Sequence, residues 1–341
     1  MEQTNISLNQ WKELYESAVK IKELAPWDFM NENDIFGVKD PDSDQIGFIS
    51  VMGALGEHLA MAIYLGAKAL YKFWDFQSDD EASLESLFQL NHLQLSFEDR
   101  ADLAKNDLNI IKKLGFKFRG KHDWPMFRSY RPGFLPWYLD PQEAQFFSHV
   151  LKQAETVMKR FKEDPTILDT DSDISYLIRV PIKKGNNLVW EDKVEEIEPS
   201  EPETVSIFVD MELFDKLKQL PKVPMTTEID LFMMPVRIEE KGRRPFFPYL
   251  LLSVNRGDGI IIGNDMIQPE ATLEEMWGTI PNRIVLQFAK LEIVPQRIAL
   301  QSQLLFQLLK PITDELGIQL NLEPNLDQLN ESKQFLMNQF S

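Results

Sequence analysis

Two runs of aspartate stand at alternating positions, Asp40, Asp42 and Asp44 and then Asp169, Asp171 and Asp173, the spacing of the first ligands in a calcium-binding loop. Neither run completes that loop. The sharp-turn glycine falls on Gln45 or Ile174, and the closing bidentate glutamate on Val51 or Val180, so both runs read as solvated turns. The histidines, His58, His92, His122 and His149, have no metal-ligand spacing. His58 beside Glu57 has the makings of an acid–base pair, although a satisfied core or capping histidine is the plainer reading. A Gly-x-Ser-x-Gly elbow, a zinc metalloprotease helix and a Walker loop are all absent. A missing local motif lowers the enzyme reading without removing it, because active-site residues converge from distant parts of a chain.

The other candidate is a surface chemistry rather than a reaction. From Lys112 to Tyr138, seven lysines and arginines face a single acid, Asp123, interleaved with Phe116, Phe118, Trp124, Phe127, Tyr130, Phe134, Trp137 and Tyr138. Three readings of this stretch are open. The aromatics fill a core while Lys and Arg stems cover its rim. Alternatively Arg119, Trp124, Arg128, Arg131 and Trp137 recognise an acidic protein or peptide segment, since arginines and aromatics dominate interface anchors. In the third, bases stack on the rings and phosphates meet Arg119, Arg128 and Arg131, as in single-stranded nucleic-acid binding. A formal charge of -18 opposes the third.

A chain of 341 residues suggests two domains. With 43% apolar and 26% charged residues it is neither disordered nor fibrous in composition. The absence of cysteine excludes disulfides, thiolate metal sites and a cysteine nucleophile. The opening MEQTNISLNQWKEL lacks a signal-peptide pattern, and the longest apolar tract, Leu59 to Leu70, is too short to span a bilayer, so a cytoplasmic protein without membrane contact is expected.

Elements must hold these residues. Ser7 and Gln10 form a capping box ahead of Leu8, Trp11, Tyr15, Ala18 and Ile21 at helical spacing, ending before Pro26. Ile35 to Val38 and Ile46 to Val51 read as a hairpin. After Val51, MGALGEHLAMAIYLGAKALYKFW is apolar almost all round and predicts a central buried helix, with Gly53 and Gly56 at its start for close packing. Leu93 to Phe97 is a strand, and the helix after it starts in the acidic EDRADL and stops at Gly115. Prolines 125, 132 and 136 hold the basic aromatic stretch to strands and turns. Asp140, Pro141 and Glu143 then open a long helix that ends at Asp164 and Pro165. The turn-rich DPTILDTDSD is read as a linker, with domains at 1–168 and 169–341, and YLIRVPIKKGNNLVWEDKVEEI as a hairpin. EEIEPSEPE reads as a solvated acidic loop.

The remainder alternates in type. Three strands, TEIDLFMMPVRI, FPYLLLSVN and IIIGNDMI, are joined by the turns GRRP and RGDG. A helical region broken by Pro281 follows, then the strand RIALQ, a helix stopping at Gly317, the strand IQLNL and a closing helix.

Two passages carry resemblances. PWDFMNENDIFGVKDPDSDQIGFISVMGALGEHLAMAIYLG, LSFEDR and LGFKFRGKHDWPMFRSYRPGFLPWYLDPQEAQF resemble a family of bacterial proteins of unknown function, which implies no activity. The C-terminal order of elements resembles the ribonuclease H-like fold of transposases and integrases. That resemblance implies carboxylates holding two divalent ions, Mg or Mn, about 4 Å apart. Asp230 falls on the first acid and Glu331 stands in for the third, while Gln301 occupies the second, where a neutral amide cannot neutralise a metal.

The expected fold is therefore α+β in two domains, the C-terminal one a mixed sheet with flanking helices in ribonuclease H-like order. The expected function is a non-catalytic binding or scaffolding module without a cofactor. The alternatives are a divalent-metal nuclease or phosphoesterase built on Asp230 and Glu331, and single-stranded nucleic-acid binding without cleavage.

Overall fold

A computed structural model describes residues 6–78, 89–185, 187–200 and 205–339. The chain divides into two compact units, Met1–Pro132 with Pro136–Glu201, and Gly133–Leu135 with Pro202–Ser341. Among the described residues no helix is long and apolar enough to cross a membrane.

In the first unit, α1 (Leu8–Leu24) starts at the expected capping box: Ser7 Oγ accepts the Gln10 N–H at 3.2 Å, and Gln10 Oε1 accepts the Ser7 N–H at 3.0 Å. A seven-stranded sheet follows from β1 (Phe36–Lys39), β2 (Ile46–Met52), β3 (Ala60–Leu65), β4 (His92–Glu98), β5 (Trp124–Tyr130), β6 (Ser175–Lys184) and β7 (Asn187–Glu196). Its order is β5-β4-β3-β2-β1-β6-β7, antiparallel except where β6 runs parallel to β1. Among the described residues the unit also contains α2 (Gly66–Ser78), α3 (Lys105–Leu114) and α4 (Pro141–Glu163). Residues of α1, α3 and α4 share one core with Val51, Met61, Leu95 and Phe127, and α2 covers Phe48, Ala62 and Tyr64 on the sheet's other face.

The central helix expected after Val51 is instead the end of β2, a turn, β3 and α2. Ala60 to Tyr64 is buried without interruption because β3 lies inside the sheet with both faces covered. A continuous apolar run cannot distinguish such a strand from a buried helix. Gly53 and Gly56 serve the turn rather than a helix start, both at positive φ, with the Gly56 N–H donating to the Gly53 carbonyl at 2.8 Å. The helix expected from EDRADL begins later, at Lys105, with the Asp107 carboxylate accepting the Ala104 N–H at 3.1 Å.

The division between units also differs from the expected one. A boundary at 168 and 169 assigns β6 and β7 to the second unit, yet β6 pairs with β1, Gly37 opposite Ile178 and Val38 opposite Arg179. The acidic turn-rich stretch is a loop returning the chain to its own sheet. Composition does not separate such a loop from an interdomain linker, since both are exposed and polar.

The second unit contains α5 (Met211–Lys218), β8 (Lys222–Met233), β9 (Tyr249–Asn255), β10 (Ile261–Ile267), α6 (Leu273–Gly278), α7 (Ile280–Leu291), β11 (Val294–Leu300), α8 (Gln303–Leu316), β12 (Gln319–Leu322) and α9 (Asp327–Met337). The sheet order is β10-β9-β8-β11-β12, with β8, β9 and β10 antiparallel and β11 parallel to both β8 and β12. Pro281 separates α6 from α7, as its missing N–H requires. Helices α5 to α8 pack with Ile229 and Leu251 on one face, and α9 packs with Phe232, Leu250 and Leu252 on the other.

His92 is the buried group of the first sheet that bears on its stability in acid. His92 on β4 is 4% exposed, stacks on Tyr130 at 4.1 Å, and donates from Nδ1 to the Leu90 carbonyl at 3.1 Å. Burial pushes its imidazole down to about 4 from 6.5. Between those values the unfolded chain binds a proton that the folded one refuses, so this contribution is complete above pH 6.5 and falls away as the pH drops toward 4. We expect His92 to make the first unit lose about 3 kcal/mol across that window. Urea midpoints of the wild type and His92→Phe at both ends should show the variant's acid slope flattened, and equal slopes would refute the assignment.

Candidate functional site

The basic aromatic stretch has three anchors. Past the left-handed stop at Gly115, Phe116 and Phe118 turn inward, stacking on each other at 5.7 Å and against Tyr15 of α1, while Lys117 and Arg119 alternate outward. The turn at His122 is clamped twice: its N–H donates to Asp99 at 2.8 Å and its carbonyl accepts from Lys22 at 2.7 Å. Next comes β5, paired with β4 from Trp124 opposite Glu98 to Tyr130 opposite His92.

The five residues singled out for partner contact do not share one environment. Trp124 is half-buried, with the Phe118 ring at 6.0 Å and the Arg100 guanidinium at 5.7 Å. Trp137 exchanges backbone hydrogen bonds with Ser129, at 2.9 and 2.8 Å, and is also half-buried. Arg128 forks onto Asp107 with Nη1 at 3.0 Å and Nη2 at 2.6 Å, donates to the Phe127 carbonyl at 2.7 Å, and lies over Tyr138 at 4.8 Å. Its side chain is 12% exposed and that of Asp107 is 5%. Burial lowers the guanidinium's pKa, and the hydrogen bonds and charge of Asp107 more than offset this, holding it above the ordinary value.

Arg131 reinforces the start of α4. Asp140 Oδ1 accepts the Glu143 N–H at 2.8 Å and Glu143 Oε2 accepts the Asp140 N–H at 2.8 Å, and Arg131 Nη2 donates to both carboxylates at 2.7 Å. Arg119 is different: it is exposed and, among the described residues, has no ion-pair partner. Two of the three arginines expected to meet a partner are thus engaged by the protein's own acids.

The aspartate runs resolve into turns. Asp40 accepts from Ser43 Oγ at 2.7 Å, Asp42 from Gln145 at 2.8 Å, and Asp44 pairs with Lys39 at 2.9 Å. Asp169 and Asp173 line a cavity of about 450 Å³ with Asp34 and Trp74. Gln94 lies 3.4 Å from His58 Nε2, and His58 is on the β2–β3 turn rather than on a helix. Among the described residues no group of three or more His, Asp or Glu is placed to hold a metal ion.

In the second unit, the acids of β8 lie on the α9 side of the sheet. Glu228 and Asp230 share a face because strand side chains alternate. Asp230 accepts from Lys333 of α9 at 3.1 Å, and Lys333 lies over Phe232 at 4.2 Å. Glu331 does not join them. It precedes Lys333 by two positions, about 200° around the helix, and is exposed. Gln301 is exposed and donates to the Pro324 carbonyl at 2.7 Å.

The acidic centre that the sequence reading missed is Glu228, 1% exposed. Its Oε1 accepts from Arg256 Nε at 2.7 Å and its Oε2 accepts the Leu329 N–H at 2.8 Å. Arg256 reaches on to Glu323, with Nη2 at 2.7 Å and Nη1 at 3.3 Å, and these contacts raise its pKa. Arg256 is aimed by the RGDG turn, where the Gly259 N–H donates to the Asn255 carbonyl at 2.9 Å and the Gly257 N–H to the Asn255 side chain at 3.1 Å. Beside this triad lies a cavity of about 270 Å³, also lined by Asn325, Asp327 and Gln328. The available signal was a glutamate inside an apolar strand, two residues before Asp230, in a position that demands a charged partner.

The carboxylates do not suit a divalent pair. Both Glu228 oxygens accept hydrogen bonds, Asp230 faces an ammonium, and the strand-end position is a neutral amide. A guanidinium occupies the place where a cation would have to sit between Glu228 and Glu323.

Comparisons with known proteins assign no activity. Among curated proteins there is no match. One solved structure with a likeness is the catalytic core domain of BIV integrase, at 13% identity over 33% of this chain and 66% of that one, with a TM-score of 0.24. Two family models match the chain, Domain of unknown function (DUF7309) over residues 11–179 and Domain of unknown function (DUF6930) over residues 213–337.

Proposed function

We propose that this protein is a non-catalytic binding module whose second unit is a ribonuclease H-like domain with its acids neutralised from within. The strand order β10-β9-β8-β11-β12, three antiparallel strands continued by two parallel ones, supports the fold reading. One observation carries the functional one: Arg256 bridges buried Glu228 and Glu323. A metal binding there would have to displace a guanidinium held by bidentate and charge-assisted bonds. The first unit supplies a rigid, aromatic-backed surface and a cavity, the features of recognition rather than of proton transfer or nucleophilic attack.

The test is divalent-metal chemistry. Calorimetric titration with manganese is expected to give no saturable binding. Incubation with single-stranded DNA or RNA in magnesium or manganese is expected to leave the substrate intact. Metal-dependent cleavage that disappears in Asp230→Asn would overturn the reading in favour of a nuclease.

A further inference from the structure

Lys112 and Lys113 close the last turn of α3, and Lys117, Arg119 and Lys121 follow within eight residues; all five are exposed. Among the described residues none of them has an ion-pair partner. Other exposed cations without an ion-pair partner among the described residues, such as Lys183, Lys241, Lys290 and Arg297, are scattered, whereas these five fall within ten consecutive positions of a chain whose formal charge is -18.

The strip is also preorganised. Gly115 ends the helix, Phe116 and Phe118 fasten the backbone to Tyr15, and the His122 turn is held by Asp99 and Lys22. Lys117 and Arg119 therefore stand exposed at alternating positions of a fastened segment, between the inward Phe116 and Phe118. A surface that is ordered before binding loses little entropy when it binds.

We propose that Lys112, Lys113, Lys117, Arg119 and Lys121 form a docking surface for an extended acidic polypeptide segment with carboxylates at alternating positions. Charge complementarity sets the sign of the occupant, and the closed aromatics set its class. Single-stranded nucleic acid needs open ring faces for its bases. Here Phe116 and Phe118 stack on each other and on Tyr15, and Trp124 lies between Phe118 and Arg100. An acidic peptide uses only the cations, and a two-residue period along its strand matches the spacing of Lys117 and Arg119. This rests on the binding-module reading, and the two fail separately: manganese-dependent cleavage would refute the first, and the peptide assay below addresses the second.

The probe is a fluorescein-labelled peptide of alternating Glu and Ser, followed by anisotropy against the full chain at about 0.15 M salt, where surface charges are screened beyond about 8 Å. Saturable binding is expected, about tenfold weaker for Lys117→Gln/Arg119→Gln/Lys121→Gln, since each lost exposed pair costs a fraction of 1 kcal/mol. Arg131→Gln, already engaged by Asp140 and Glu143, is expected to bind like the wild type. Lys112→Gln/Lys113→Gln provides a second variant at the helix end, expected to weaken binding in the same direction. Absence of saturable peptide binding, wild-type affinity in both strip variants, or tighter binding of an oligothymidylate of the same charge would each overturn the proposal.

Discussion

Replacing Arg128 by methionine is expected to destabilise the first unit by about 3–5 kcal/mol, the cost of leaving one member of a buried ion pair without its partner. The pair is buried on both sides, 12% and 5% exposed, and its fork geometry satisfies both Asp107 oxygens. Without the guanidinium, Asp107 keeps only the Ala104 N–H as a donor. It must then either protonate or draw water into a core beside Tyr15 and Phe127. Asp107→Asn in the Arg128→Met background removes the stranded charge and should recover a substantial part of the loss. Urea unfolding of the four members of this cycle measures the coupling. A loss below about 1 kcal/mol in the single variant would show that the pair behaves like an ordinary surface bridge. In that case Arg128 would again be a candidate for contact with a partner.

In the second unit, Glu228→Ala is the substitution with the largest expected effect, about 2–3 kcal/mol, because it removes a charge-assisted bond to Arg256, which keeps Glu323, and leaves the Leu329 N–H without its acceptor. Its carboxylate joins three elements: it lies on β8, receives Arg256 from the β9–β10 turn, and accepts the Leu329 N–H in the first turn of α9. No side-chain hydrogen bond from an N-cap residue serves this helix, so Glu228 takes that part from across the sheet. Hydrogen exchange should therefore show the amides of α9 losing protection ahead of the rest of the unit. Glu228→Gln keeps an acceptor for Leu329 while removing the charge, and should cost less than half as much. Equal protection of α9 in wild type and Glu228→Ala would mean that Leu326 and Leu329 hold the helix by packing alone.

The proposed strip and the saturated arginines come from the same sequence stretch, and local reasoning treated them alike. Arg119, Arg128 and Arg131 have the same side chain within 13 residues, yet two are bound to acids and Arg119 has no ion-pair partner among the described residues. The difference lies in which acids the fold brings up to them. Asp107 comes from a helix 21 positions earlier, and no spacing rule links it to Arg128. Glu143 was identified as a capping residue, but its second role as a receptor for Arg131 depends on how β5 turns into α4.

Local chemistry was legible wherever a few adjacent residues satisfy one another. The Ser7–Gln10 and Asp140–Glu143 boxes, the Gly115 and Gly317 stops and the break at Pro281 are set by short-range sterics and backbone hydrogen bonding, and they stand where expected, whereas β8, expected over residues 227–238, runs from Lys222 to Met233. Tertiary structure decided the matters that depend on distant neighbours. Ala60 to Leu65 is a strand because β2 and β4 pair with both its edges while helices cover both its faces, and the hairpin of β6 and β7 belongs to the first unit because β1 offers it an edge. Burial turns Glu228 from an ordinary strand acid into the anchor of Arg256. The sequence by itself determined where charge is concentrated. Only the folded chain decided which of those charges are already neutralised, because ion pairing depends on separation in space and on exclusion of water, and neither follows from distance along the chain.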